Sequence, residues 1–143
     1  MPIVWRDALG VGEPVIDGDH KYLIKLINEF EAATEGRIDH TAIASIISHL
    51  FGYTQDHFAR EEALQRAARY PFYESHRQAH QELIRKLNVL HERYCAAKDG
   101  PERDEMVRDL AIFLREWLVN HIIEQDLRLK PFVVKAPVKT TDA

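Results

Sequence analysis

Residues 106–126 read MVRDLAIFLREWLVNHIIEQD, and the apolar positions Met106, Leu110, Phe113, Leu114, Trp117, Leu118 and Ile122 recur at three- and four-residue intervals. That spacing gathers them on one face of a helix. Three blocks upstream repeat the pattern: Leu23, Ile24, Ile27 and Phe30, then Ile43, Ile46, Ile47, Leu50 and Phe58, then Leu83, Ile84, Leu87, Leu90 and Tyr94. None alternates with period two, so no strand is expected. The prolines at 2, 14, 71, 101, 131 and 137 leave long uninterrupted stretches. Gly36 breaks the first stretch, Asp39 is placed to cap the second helix, and Pro101 suits the first position of the last helix. The sequence predicts helices over about 18–35, 39–67, 72–97 and 102–127. Short connections make consecutive helices antiparallel, which gives an all-α, up-down-up-down four-helix bundle spanning 18–130. Residues 1–17 form an N-terminal arm packed through Val4 and Trp5, and 131–143 a loosely held tail.

The chain has 143 residues, 45% of them hydrophobic and 29% charged, enough apolar material for one buried core and too little length for two domains. A net charge of −4 offers no general attraction to nucleic acid or anionic lipid. No stretch is apolar enough to span a membrane, and the N-terminus lacks the pattern of an export signal. A single cysteine, Cys95, fits a reducing cytoplasm. The outlying number is eight histidines, and their positions carry the chemistry.

His76 and His80 are four residues apart, hence about 40° apart around a helix, and both can reach one metal. His57 and Glu61 have the same spacing, while Glu62, about 100° further round, belongs to a solvated acidic face. His121 lies in the most apolar stretch, where a buried imidazole needs a partner. Asp126 is five residues on, about 140° away on an ideal helix, so the two share a centre only between helices or if the last turn deforms. Asp17 and Asp19 suit the start of the first helix, with His20 in its opening turn. Each helix therefore offers an imidazole or carboxylate able to turn inward. Five histidines and two carboxylates exceed the four ligands of one structural zinc, which implies two metals. Ligand type alone leaves iron, copper, nickel and zinc open.

These residues resemble the hemerythrins, specifically the single-domain bacterial ones. The likeness runs through Trp5, Val11-Gly12, Ile16-Asp17, His20-Lys21, HFAREE at 57–62, Tyr70-Pro71, His76-x3-His80, WLVNHI at 117–122 and Asp126. The resemblance implies two non-haem irons (ferrous or ferric) joined by an oxo or hydroxo bridge. His76, His80 and His121 would hold one iron, His20 and His57 the other, with Glu61 and Asp126 spanning both. These ligands fill about eleven of about twelve octahedral positions, and the vacancy falls on the iron with two histidines. The implied activity is reversible dioxygen binding for storage or delivery, without catalytic turnover. Trp117, Val119, Ile24 and Gln65 would line the pocket. Gln65 stands where relatives commonly carry methionine or another apolar residue, and is expected to make its side of the pocket wetter and oxidation faster. Leu83, where some relatives carry phenylalanine, keeps an apolar wall.

Two other functions share this centre: oxygen or redox sensing through an unidentified protein partner, since the chain has no room for an output domain, and a di-iron oxidase or peroxidase. The Glu-x-x-His repeats of carboxylate-rich di-iron bundles and the His-Glu-x-x-His of metalloproteases are absent from the sequence. His40, His49 and His91 fall outside the pattern and are expected at the surface or at helix ends. Cys95 is expected to be buried or half-buried, and Trp117 and Met106 to belong to the core.

Overall fold

The computed structural model of the chain describes residues 2–135, with side chains through Val133. Four long helices dominate: α1 Pro14–Ala33, α2 His40–Ala67, α3 Tyr73–Ala96 and α4 Pro101–Asn120. A π-helical turn at His121–Gln125, a 3-10 turn at Asp126–Leu129 and the short α5 Lys130–Lys135 continue from α4. Each long helix packs on two others in the ring α1–α2–α3–α4, giving the antiparallel up-down-up-down bundle expected from the sequence.

The helix ends follow local chemistry. Asp39 accepts from the amides of Thr41 (3.0 Å) and Ala42 (3.3 Å) and so caps α2. Helix α1 starts at Pro14, four residues earlier than the predicted 18: Glu13 accepts from the Val15 amide, and Pro14 occupies the first position, where it lacks no needed donor. Asp17, expected as a cap, instead reaches back to the amides of Val11 (2.7 Å) and Gly12 (3.2 Å) and ties down the arm, which ends at Glu13. The arm is held by Ile3, whose backbone pairs with the Asn28 side chain in both directions at 2.8 Å, and by Trp5 against the core. Val4 takes no such part and is exposed.

The turn from α2 to α3 sets the two helices that carry most of the polar residues. Tyr70 N–H bonds to the Gln65 carbonyl and Arg69 N–H to the Arg66 carbonyl, the paired bonds of a Schellman ending. The left-handed position falls on Arg69, at φ 54°, rather than on a glycine. A side chain there costs on the order of 1 kcal/mol, so Arg69→Gly should raise the unfolding midpoint; an unchanged or lower midpoint in thermal melts would show that Arg69 compensates elsewhere.

The apolar core runs through Leu23, Ile27, Phe30, Ile43, Ile47, Leu50, Leu87, Tyr94, Leu110 and Leu114. The buried polar residues collect at the end of the bundle formed by the start of α1, the end of α2, the start of α3 and the end of α4. Of the predicted loose tail, residues 136–143 lie outside the described residues. The described part is helical, and Phe132 packs edge-on against Tyr70 at 5.1 Å. Cys95 is exposed, contrary to expectation, and Met106 is only half-buried. Among the described residues no helix is long and apolar enough to cross a membrane.

Candidate metal centre

Seven buried side chains meet at the polar end of the bundle: His20 from α1, His57 and Glu61 from α2, His76 and His80 from α3, His121 and Asp126 from beyond α4. They form two groups of donor atoms, Glu61, His76, His80, His121 and Asp126 in one, His20, His57, Glu61 and Asp126 in the other. Both carboxylates belong to both groups, one oxygen to each. Glu61 Oε1 is 3.1 Å from the Nε2 atoms of His76 and His80, whereas Oε2 lies 3.8 Å from those of His20 and His57. Asp126 Oδ1 is 2.9 Å from His76 and His121, and Oδ2 2.9 Å from His20.

The last turn of α4 makes this convergence possible. An ideal helix would leave Asp126 well round the axis from His121. Here the Asp126 amide bonds to the His121 carbonyl, five residues back, and the widened turn returns the two side chains to one face. The deformation that the spacing requires is therefore present.

Several features fit metal ions better than protons. Both oxygens of Glu61 and of Asp126, and Nε2 of His20, lack a well-directed hydrogen bond despite the nearby nitrogens, so they aim at shared points rather than at one another. His121 Nε2 lies 3.2 Å from Nε2 of His76 and 3.1 Å from that of His80. Bonds of roughly 2.1 Å at right angles would place neighbouring donors about 3.0 Å apart. Three imidazoles on one face of an octahedron have this spacing.

A second layer holds the rings. Nδ1 of His57 faces Asp19 Oδ2 at 2.9 Å, and Asp19 also accepts from Tyr53 (2.6 Å) and from two nitrogens of Arg60 (2.8 and 2.9 Å). Burial opposes charge on Asp19, but the hydrogen bonds from His57, Arg60 and Tyr53 win and hold its carboxyl far below the usual range. Burial and the bond to Asp19 push the Tyr53 phenol up to about 12, so it stays a donor. Nδ1 of His80 faces Glu62 Oε2 at 2.8 Å, and its ring stacks on Phe58 with centroids 3.7 Å apart. Glu62 is thus not part of a solvated stripe. Asp19, Tyr53, Arg60, Glu62 and Phe58 are site residues that the sequence reading misses; the only signal was an acid directly adjacent to a ligand candidate.

The expected pocket walls divide. Trp117 is buried, edge-on to Phe58 at 5.9 Å and 6.2 Å from His121, with Leu83 beside it in a groove that reaches His121. Gln65 is buried, but its carboxamide is engaged with Nδ1 of His76 at 2.9 Å rather than lining a wet wall. Ile24 is buried one turn past His20. Val119 faces outward, 36% exposed, on a separate surface groove of about 430 Å³ that also borders Ile24 and the arm. His40, His49 and His91 lie outside both donor groups. His40 starts α2 and bridges Tyr94 and Asp104, His49 bonds Tyr22, and His91 sits beside Cys95.

Three comparisons with known proteins bear on this arrangement. The family described as the Hemerythrin HHE cation binding domain matches residues 11–133. The chain belongs to the hemerythrin family. A bacteriohemerythrin of Pseudomonas aeruginosa (strain LESB58) is 37% identical over 124 residues, 87% of this chain and 76% of that one. The myohemerythrin of Riftia pachyptila is 30% identical over 129 residues, 90% and 92% of the two chains. Among solved structures, a wild-type hemerythrin crystal structure superposes with a TM-score of 0.78 at 24% identity, covering 93% of this chain and 98% of the other, and supports the hemerythrin fold.

Without metal, the site is a balanced set of buried acids and bases. Burial pushes the His76 imidazole down, but the carboxylates of Asp126 and Glu61 beside it win and raise it to about 9 from 6.5; His20 moves the same way, chiefly through Asp126. Burial and the charge of Asp126 push Glu61 up, yet His76, His80 and His57 bring it down to about 2 from 4.5. Asp126 is held well below its ordinary value by His121, His20 and His76 against its own desolvation. For His80 burial dominates and the pKa falls.

A raised histidine stabilises fully below its unfolded pKa and loses that contribution as pH rises through the folded one; a depressed carboxylate contributes above its unfolded pKa and loses it on acidification. The metal-free protein should therefore lose thermal stability between pH 6.5 and about 9 as His76 discharges, with His20 acting in the same direction, and again below pH 4.5 toward about 2 as Glu61 protonates. His80, lowered by burial, acts on the acid side of pH 6.5, where the unfolded chain takes up its proton first and stability falls as pH drops. Melting curves across pH check the balance, and a midpoint that climbs steadily from pH 6.5 to 9 would contradict it.

Proposed function

We propose that this chain binds dioxygen reversibly at a pair of non-haem irons, as a carrier or store rather than an enzyme. The observation that carries the reading is the sharing of Glu61 and Asp126 between two unequal groups: each turns one oxygen to the group with three imidazoles (Glu61 to His76 and His80, Asp126 to His76 and His121) and the other to the group with two. His76, His80 and His121 would hold one iron, His20 and His57 the other, and the two carboxylates would span the pair together with an oxo or hydroxo bridge. Two ferrous ions so held would supply the two electrons that reversible dioxygen binding needs. The side with two histidines has one donor fewer and is where dioxygen would enter.

The protein's part is positioning and exclusion. Asp19 and Glu62 hold the rings of His57 and His80 through Nδ1. Phe58, stacked on His80, and Trp117, beside His121, wall the centre with aromatic surface that keeps water out. The imidazole-rich donor set is less suited to high-valent iron than a carboxylate-rich one, which favours carriage over oxidation. A reducing cytoplasm is the setting this reading adopts, and the lone free Cys95 supports it. Sensing through a protein partner uses the same centre and differs only in who reads it.

Metal analysis with visible spectra decides the proposal. About two irons per chain, with bands that appear under air and vanish on deaeration while the oxygen is recovered, are expected. One iron per chain, or oxygen consumed instead of returned, would overturn it.

A further inference from the structure

An imidazole that binds a metal through Nε2 keeps its proton on Nδ1, and in a buried ring that N–H needs an acceptor. His57 and His80 find carboxylates there, Asp19 and Glu62. His76 does not: the group facing its Nδ1, at 2.9 Å, is the carboxamide of Gln65. Gln65 is wholly buried, lies one turn beyond Glu61 on α2, and has a carboxamide oxygen with no partner. With the amide nitrogen toward a protonated Nδ1, two donors would meet while a buried acceptor stayed empty, which costs about 1–3 kcal/mol. The two ends of a carboxamide are nearly equal in size, so a half-turn about the last torsion exchanges them without moving a neighbour. That single rotation gives the ring proton an acceptor and the carboxamide oxygen a donor, and turns the amide nitrogen to the position where the oxygen had no partner.

We propose that Gln65 is a positioning residue for His76: its carboxamide oxygen accepts the Nδ1 proton and leaves Nε2 aimed at Glu61 and Asp126. The inference rests on the di-iron reading above and extends it to the tuning of one iron. Of the three rings anchored in this way, His76 alone has a neutral partner. A neutral acceptor withdraws less of the ring proton than a carboxylate does, so His76 donates less charge to its metal. The iron on the three-histidine side is thereby biased toward the ferrous state, relative to what an acidic residue at 65 would give.

The test compares wild type with Gln65→Met, Gln65→Asn and Gln65→Glu. In metal-free protein labelled with 15N-histidine, wild type and Gln65→Glu should show a His76 Nδ1–H protected from solvent exchange. Gln65→Met and Gln65→Asn, the second with its carboxamide drawn back by one methylene, should lose it. Titrated with ferrous iron alone without oxygen, Gln65→Met should bind one of two irons about 10- to 100-fold more weakly. Gln65→Glu should restore that affinity and shift the reduction potential downward. If Gln65→Met does not fold, Gln65→Asn carries the comparison. A protected N–H that survives in Gln65→Met or Gln65→Asn, unchanged iron affinity, or no rescue by Gln65→Glu would overturn the inference and leave Gln65 as a filler of space. Should wild type take up no iron, the di-iron reading fails, while the ring-proton measurement still decides what Gln65 does.

Discussion

Glu61→Ala should end the paired binding of iron and lower the unfolding temperature of the metal-free protein by about 10 °C or more. Both effects come from its place between the two donor groups. Each Glu61 oxygen faces one donor group, so alanine would take one ligand from each proposed iron and one of the two proposed links between them. Uptake should fall from two irons per chain to one or fewer. In the metal-free protein the outcome depends on which of two electrostatic effects is larger. Glu61 is repelled by the charge of Asp126 and penalised by burial, and losing it relieves both. Against these, the neighbouring His76, His80 and His57 favour its charged form, and they prevail, because the carboxyl sits at about 2 rather than above its ordinary value. Removing one partner of such a buried set costs about 3–5 kcal/mol, since the charge left behind has no solvent to turn to. Glu61→Gln separates the contributions by keeping the volume and removing the charge, and it should share the stability loss. Two irons per chain in Glu61→Ala, or a melting point equal to wild type, would show that Glu61 neither joins the metals nor balances the histidines.

The helices were legible because burial is periodic: Leu23, Ile27 and Phe30, or Leu110, Leu114 and Trp117, repeat at helical intervals and all are buried. The start of α1 was less so, because Pro14 reads equally well as a breaker before a helix or as its first residue, and the Glu13 side chain decides between them. The resemblance likewise expects Val119 in the pocket wall, whereas on α4 it faces outward. At the centre, pairs within one helix could be read from spacing: His76 with His80, and His57 with Glu61. Groups that act through space could not. Asp19 meets His57 across 38 positions, and Glu62 looks solvated until α3 brings His80 against it. A residue adjacent to a ligand points about 100° away from it along the helix, toward whatever the neighbouring helix supplies. Sequence spacing says nothing about that neighbour. The same holds for Gln65, whose polar end reads as a wet wall in sequence and is a hydrogen-bond partner of His76 in space.

Inserting one alanine after Ile123 should abolish binding of the iron pair, whereas deleting Ile123 should leave it nearly intact. The contrast follows from how α4 ends. Five residues separate His121 from Asp126, and the π-helical turn absorbs the surplus over the four of an ordinary helix. Deleting Ile123, whose side chain is 45% exposed, brings the separation to four, and a regular turn then presents both side chains on one face. The core loses little, because Ile122 and Leu129 on either side keep their buried positions. An inserted residue makes the separation six, which neither a regular nor a widened turn closes. Asp126 would swing out from between His76 and His20, a fully buried carboxylate would need a new setting, and both donor groups would lose an oxygen. Iron content per chain and far-ultraviolet circular dichroism read the two variants together, the second to confirm that the bundle has formed. If the deletion loses iron as completely as the insertion, the widened turn does more than keep register and holds Asp126 in an orientation that a regular helix cannot offer. Should the insertion keep two irons, Asp126 is not the group that links them, and the assignment of the second shared carboxylate falls with it.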